Sequence, residues 1–283
     1  MAIARNGSVW LNWRATGPPD GEPVLLIMGL AGSSRMWWRF EPQLAAEHRT
    51  ILFDNRGTGD SDGVSGPMSM AAMVDDALAV LDAAGHESAH VFGVSMGGMI
   101  AQYLALDHRS RVRSLLLGCT TPGGRRGAPP WRMVASTAVR PVLGPKRTFE
   151  LVAPLLYAPR TLRDHPGRLR EDLRVRAADM TSPATYYAQI AAVARHDTRA
   201  RLHELGGLPV TVVHGEEDGL VPVEQGRKLA AGIPGARFVG IPGCGHLMTT
   251  DAEPETVAAV LGHLERATAS SPAAAGAAST RAI

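Results

Sequence analysis

Five residues, Gly93-Val94-Ser95-Met96-Gly97, constrain this chain more than any other stretch. They lie between an apolar run, Ala89 to Phe92, and a helix-like stretch, Met99 to Leu106. A G-x-S-x-G sequence in that setting is a strand turning sharply into a helix, with the serine at the apex. So tight a turn strains the backbone of the serine, and only small flanking residues let strand and helix approach. The pentapeptide alone arises often by chance. Its force comes from the strand before it and the helix after it.

The rest of the chain keeps the same rhythm. Pro23–Met28, Thr50–Phe53, His90–Phe92, Ser114–Leu117, Pro209–Val213 and Arg237–Ile241 read as buried strands, each bounded by Gly, Pro, Asp or Asn. Met70–Ala84, Met96–Asp107, Val223–Ala231 and Glu253–Ala267 have helical apolar spacing. Such alternation predicts an α/β fold with a mostly parallel, doubly wound sheet covered on both faces. From Thr121 to Leu205 no convincing strand occurs. Instead there are Gly/Pro-rich connections and helical segments at Lys146–Leu156, Gly167–Met180 and Ala184–Arg195. The expected organisation is a core of residues 1–120 and 206–267, with a helical lid over 121–205. The Ala/Ser-rich stretch 268–283 is expected to be disordered.

Composition narrows the function. At 283 residues, 45% hydrophobic, the chain suits one large domain with an insertion. No apolar run approaches the ~20 residues of a membrane span, and the N-terminus lacks a secretory pattern. A formal charge of +2 argues against a nucleic-acid footprint. Cys119 and Cys244 stand in no metal-ligand spacing and are expected to be reduced thiols of a cytoplasmic protein. The expected partner is a small-molecule substrate, with neither nucleic acid nor membrane; no cofactor or metal is expected, and homo-oligomerisation is left open.

A serine hydroxyl becomes a useful nucleophile only when a base takes its proton, so a histidine and an acid are sought downstream. His246, in Pro242-Gly-Cys-Gly-His246, follows the strand ending at Ile241; Asp218, in His214-Gly-Glu-Glu-Asp218, follows the strand ending at Val213. Both therefore fall on loops at strand ends, on the same sheet edge as Ser95. Glu216 and Glu217 compete with Asp218. Histidines 48, 86, 90, 108, 165, 196, 203, 214 and 263 read as structural or exposed, and Asp54 with Arg56 reads as a structural turn in which Arg56 pairs with a nearby acid. The N–H of Met96, at the start of a helix, is a candidate donor to an oxyanion.

With Asp54-Asn-Arg-Gly-Thr-Gly59-Asp-Ser61 and Asp107-His-Arg-Ser-Arg-Val112 added, the chain up to about Ala267 resembles the α/β-hydrolase fold superfamily. Its esterase and methylesterase branch is the part it is most similar to. The resemblance implies Ser95 as nucleophile, His246 as general base and Asp218 as the residue that orients His246. It also implies a second oxyanion donor, the N–H of Leu30 in Met28-Gly29-Leu30-Ala31. Met28 departs from the histidine usual there.

The implied activity is cleavage of a carboxylic ester or lactone through an acyl-enzyme on Ser95. Met36, Trp37, Trp131, Tyr157 and Tyr187 are the candidate pocket residues, with Leu30, Trp38, Met96, Phe149 and Tyr186 beside them. So apolar a set predicts hydrophobic or aromatic substrates and poor turnover of charged ones. Carbon–carbon bond hydrolysis or cofactor-free perhydrolysis by the same triad, and a non-catalytic binding relative, remain alternatives. Dehalogenase and epoxide-hydrolase chemistry is disfavoured, since both want aspartate at position 95.

Overall fold

One eight-stranded sheet organises the chain, in the order β1-β2-β4-β3-β5-β6-β7-β8. Its strands are β1 (Ala2–Asn6), β2 (Val9–Thr16), β3 (Pro23–Ile27), β4 (Arg49–Phe53), β5 (Ala89–Val94), β6 (Val112–Gly118), β7 (Val210–Gly215) and β8 (Arg237–Ile241). The computed structural model describes residues 2–63, 68–124, 131–177 and 181–269, without the side chains of 131–138, 140, 141 and 145. β2 pairs antiparallel with β1 and β4; every pairing from β4 through β8 is parallel.

The continuous apolar strands are buried on both sides, and their alternation sorts the core into two layers. Leu25, Ile27, Val91, Leu115 and Leu117 face α2 (Met70–Ala83), α3 (Met96–Asp107) and α8 (Val223–Gly232). Val24, Leu26, Phe92 and Leu116 face Trp37, Phe40, Leu44 of α1 (Glu41–Leu44), Met248 of α9 (Met248–Asp251) and α10 (Glu253–Ala269). Ser69 caps α2 by accepting the Ala72 N–H at 3.1 Å. Arg56, in the turn after β4, grips Asp76 of α2 with two guanidinium contacts, Nε to Oδ2 at 2.5 Å and Nη2 to Oδ1 at 2.6 Å.

β1 and β2 have no counterpart in the strands expected from sequence. They form the antiparallel edge, where one face stays wet: Ile3 is 56% and Trp10 44% exposed. Neither shows the continuous apolar run that marks the inner strands.

Between β6 and β7 the chain is helical: α4 (Trp131–Leu156), α5 (Pro159–Asp164), α6 (Pro166–Ala177) and α7 (Pro183–Ala194). α4 is two helices broken at Gly144, whose φ of 73° leaves the helical region. The ends of this insertion are tied to the sheet layer. The Thr121 carbonyl accepts from Gln102 Nε2 at 3.1 Å and lies 2.9 Å from His196 Nε2; Leu202 and Leu205 are buried in the sheet core. α10 runs to Ala269, so Thr268 and Ala269 are helical rather than part of a disordered tail; the remainder of that stretch lies outside the described residues. Among the described residues no helix is long and apolar enough to cross a membrane.

A buried polar chain crosses the sheet and sets an acid limit. His90 Nδ1 lies 2.7 Å from Ser114 Oγ, His263 Nε2 2.8 Å from the same oxygen, and His263 Nδ1 2.8 Å from Thr211 Oγ1. Burial lowers His90 to about 4 and His263 to about 3, from 6.5. Both are therefore neutral when folded, while the unfolded chain takes up protons below about pH 6.5. Stability should be complete above that value and fall as pH drops towards 4 and 3, by on the order of a few kcal/mol. The check is the urea midpoint between about pH 7.5 and 4.5, a window above most carboxylate titration. A midpoint constant across it would contradict the burial argument.

Candidate active site

Ser95 follows β5 and caps α3 with φ 55° and ψ −120°, in the left-handed region a non-glycine residue enters only under constraint. The constraint is visible. Ser95 N–H donates to the Gly118 carbonyl at 2.8 Å, and Thr120 Oγ1 donates to the Ser95 carbonyl at 2.8 Å. The flanking glycines have no freedom to change: a Cβ on Gly93 would sit 2.2 Å from the Gly97 carbonyl oxygen, and one on Gly97 2.1 Å from that of Ile27.

The loops after β7 and β8 bring Asp218 and His246 together. His246 Nδ1 lies 2.8 Å from Asp218 Oδ2, with both residues buried. Asp218 Oδ1 accepts the N–H groups of Leu220 at 2.9 Å and Val221 at 2.8 Å. Burial pushes the Asp218 carboxyl up, but His246 and His214 outweigh it and hold the group well below the usual carboxylate range. Glu216 and Glu217 are exposed, and Glu216 faces Arg227 at 3.5 Å; neither competes for His246.

Two residues at this site escaped the sequence reading. His214 Nε2 is 2.8 Å from the Val221 carbonyl and 3.3 Å from Asp218 Oδ2, so the acid is held from two sides. Gly226 makes room, since its Cβ would lie 2.4 Å from His214 Nδ1. The spacing of His214 and Asp218, four apart across a turn, was the available signal. Asp251 Oδ2 accepts the Gly245 and Ala158 N–H groups, each at 2.7 Å, and so joins the His246 loop to the start of α5. Nothing in the local sequence announces that role.

Cys119 Sγ lies with the Asp218 carboxylate and a His246 ring nitrogen inside a 4.8 Å group. A metal would need a thiolate there. Burial, with Asp218 adding to it, instead pushes the Cys119 thiol well up, and the facing atoms of His246 and Asp218 are spent on each other. Both Cys119 and Cys244 are free and buried, with Sγ 3.8 and 3.4 Å respectively from the Gly245 carbonyl oxygen.

The loop after β3 approaches Ser95 closely: a Cβ on Gly29 would lie 3.7 Å from Ser95 Oγ. With Met28 in the usual histidine position, other groups brace it. Asn55 Nδ2 donates to the Met28 carbonyl at 3.0 Å, and Asp54 Oδ1 accepts the Ser34 N–H at 2.7 Å. The insertion supplies the rest, Gln189 Oε1 accepting the Ala31 N–H at 2.8 Å and Thr181 Oγ1 donating to the Ala31 carbonyl at 3.2 Å.

Ser95, His246 and Leu30 line one cavity of about 550 Å³ between the sheet edge and the insertion. Most of the expected pocket residues lie elsewhere. Trp37 is fully buried against Phe40 and Phe92, with ring centroids 5.5 and 5.3 Å away, and Met36 belongs to the same core. Tyr157 turns inward to donate to Asp172 Oδ2 at 2.9 Å. Tyr187 is 41% exposed, and the side chain of Trp131 lies outside the described residues. Of the expected residues Leu30, Phe149 and Tyr186 do line it, and the rest of the apolar lining is Met28, Val94, Val152, Leu156, Leu173, Leu220 and Leu247. Lys146, Arg170, Arg174 and Arg176 line it as well, so the wall is not the wholly apolar set on which the expectation of poor turnover of charged substrates rests.

A family model described as the alpha/beta hydrolase fold matches residues 22–252. A protein of Azorhizobium caulinodans named "Putative carbamate hydrolase RutD" is 34% identical over 85% of this chain and 89% of its own length. The solved structure of a thermophilic esterase from Thermogutta terrifontis, with malate bound, superposes with a TM-score of 0.82 at 27% identity, covering 94% of this chain and 98% of that one. An enol-lactonase from Burkholderia xenovorans, at 23% identity, shares the fold with a TM-score of 0.84 over 93% of this chain and all of its own.

Proposed function

This chain belongs to the α/β-hydrolase fold family, and from that premise we propose that it is a serine hydrolase cleaving a carboxylic ester or lactone of a small molecule. The observation that carries the reading is the buried 2.8 Å contact of His246 Nδ1 with Asp218, on a histidine that shares one cavity with the strained Ser95. His246 takes the Ser95 proton as Oγ attacks the carbonyl carbon. Asp218 accepts the Nδ1–H, fixes the tautomer and stabilises the imidazolium. The N–H groups of Met96 and Leu30 receive the oxyanion, and the start of α3 favours the negative charge. His246 then protonates the leaving alcohol, and water enters by the reverse path to release the acid.

Residues 121–205 act in this reading as a lid: they supply the far wall of the cavity and, through Gln189 and Thr181, hold the oxyanion loop. The rigid brace on Ala31 supports a hole formed before substrate arrives. A carbamate is a second reading of the same geometry, favoured by the 34% identical relative of that name.

The test is a fluorophosphonate probe, followed by a panel of straight-chain ethyl esters, lactones and one matched ethyl carbamate. Labelling should fall on Ser95. Each added methylene should raise kcat/KM about three- to fourfold until the cavity is full, from ~0.8 kcal/mol per buried CH₂. Absence of labelling would overturn the serine mechanism, whereas turnover of the carbamate alone would select the second reading.

A further inference from the structure

The cavity wall contributed by the insertion is cationic. Lys146, Arg170, Arg174 and Arg176 line it against a single acid, Glu150, among the described residues. Three of the four cations come from α6, where Arg170, Leu173, Arg174 and Ala177 follow the i, i+3, i+4, i+7 spacing of one helical face. The acids of that helix look elsewhere. Glu171 is bound to Arg39 at 2.5 Å, and buried Asp172 accepts from Tyr157 at 2.9 Å and Thr250 at 2.7 Å. α6 thus divides its charge: its carboxylates, and Arg168, which donates to the Thr250 carbonyl, are committed to the body of the protein, while Arg170, Arg174 and Arg176 line the cavity. Arg176 spans the two characters of the wall, its Cζ 4.7 Å from the centroid of the Phe149 ring.

The sheet side is different in kind. Around Ser95 it presents Met28, Leu30, Val94, Leu220 and Leu247, and among the described residues His246 is the one titratable side chain lining that side. A molecule spanning both walls would meet apolar contacts at its reacting carbonyl and cations beyond. We propose that the preferred substrate is an ester or lactone carrying an oxyanion group, carboxylate or phosphate, at the end remote from the scissile carbonyl, held by Arg170 and Arg174. This rests on the ester-hydrolase reading and specifies its substrate. Guanidinium forks suit either anion, and because Arg170 and Arg174 are exposed at the cavity rim they also steer an anion inward.

The experiment compares ethyl hexanoate with monoethyl adipate, chains of matched length that differ in the terminal carboxylate, and adds an ethyl ester ending in a phosphate monoester. The wild type should favour an anionic ester over the neutral one in kcat/KM by about tenfold, and high salt should compress the ratio. Arg170→Gln/Arg174→Gln should bring the ratio near unity, and Arg170→Glu/Arg174→Glu should invert it, with folding checked by circular dichroism. The better of the two anionic esters identifies which oxyanion the site prefers. A wild-type ratio of one or below, or a ratio untouched in the folded variants, overturns the proposal while leaving ester hydrolysis standing. Calorimetric titration of monoethyl adipate into Ser95→Ala separates the opposite case. Arginine-dependent binding there, with no turnover of any ester by the wild type, would keep the anion site and sink the ester reading. No arginine-dependent binding there, with none of the esters turned over, would sink both.

Discussion

Ser95→Ala is expected to lower kcat by about 10³-fold or more on whichever ester is turned over best, with little change in thermal stability. In the proposed mechanism the hydroxyl is the attacking group, and among the described residues lining the cavity no other stands at that point of the turn. His246→Ala should lose about as much, because serine without a base remains protonated. The double variant should be no worse than either single one, since the two act as a unit. Asp218→Asn should lose less or a similar amount. Its amide oxygen can keep accepting both the Leu220 and Val221 N–H groups, but the amide nitrogen then faces His246 and His214 with N–H donors where the carboxylate Oδ2 accepts. Single-turnover and steady-state rates on purified variants check the series. Near wild-type turnover by Ser95→Ala on every accepted substrate would rule out an acyl-enzyme on this residue.

Gly97→Ala should cost about 3 kcal/mol of stability and most of the activity. Its Cβ would stand 2.1 Å from the Ile27 carbonyl oxygen and 2.8 Å from that of Met28, and both are backbone atoms that cannot rotate away. Relief requires α3 to lift from β3. That movement would displace the Met96 N–H and the Gly29–Ala31 loop relative to one another, which links the stability loss to the catalytic one. Gly63→Ala is the internal control, because a Cβ there meets nothing within 4 Å. Chemical denaturation of both variants, with the ester rate measured alongside, decides the matter. Equal stabilities for the two would mean that the strand–helix approach at the elbow is softer than its geometry implies.

The elements legible in the sequence were those whose signal is local. Met96–Asp107 was read with both ends as found, because a tight turn precedes it and its apolar spacing runs unbroken. The five inner parallel strands, β3 to β7, were legible because burial on both faces demands continuous apolar runs, and β8, an edge strand with only Ile241 buried, was legible from its short run of Phe238, Val239 and Ile241. β1 and β2 were not, since a half-wet antiparallel edge needs only a few inward side chains. α5 was also missed: Pro159-Arg-Thr-Leu-Arg-Asp164 is a single short helical stretch with only Thr161 buried.

Sequence alone was enough to put Ser95 at the apex of a strained turn, with Asp218 and His246 at successive strand ends. Turn sterics and strand periodicity act between neighbours in the chain, so they can be read from neighbours. Which groups face the cavity was decided only by the tertiary structure. Trp37 looked like a ligand contact and is instead fully buried against Phe40 and Phe92. Arg170 and Arg174 belong to no sequence motif and line the wall opposite the serine. Asn55, Gln189 and Asp251 support loops distant from them in sequence. A side chain's outlook depends on the rotation of its element and on what packs against it. Both are set by burial summed over the whole chain, which no single stretch of residues contains.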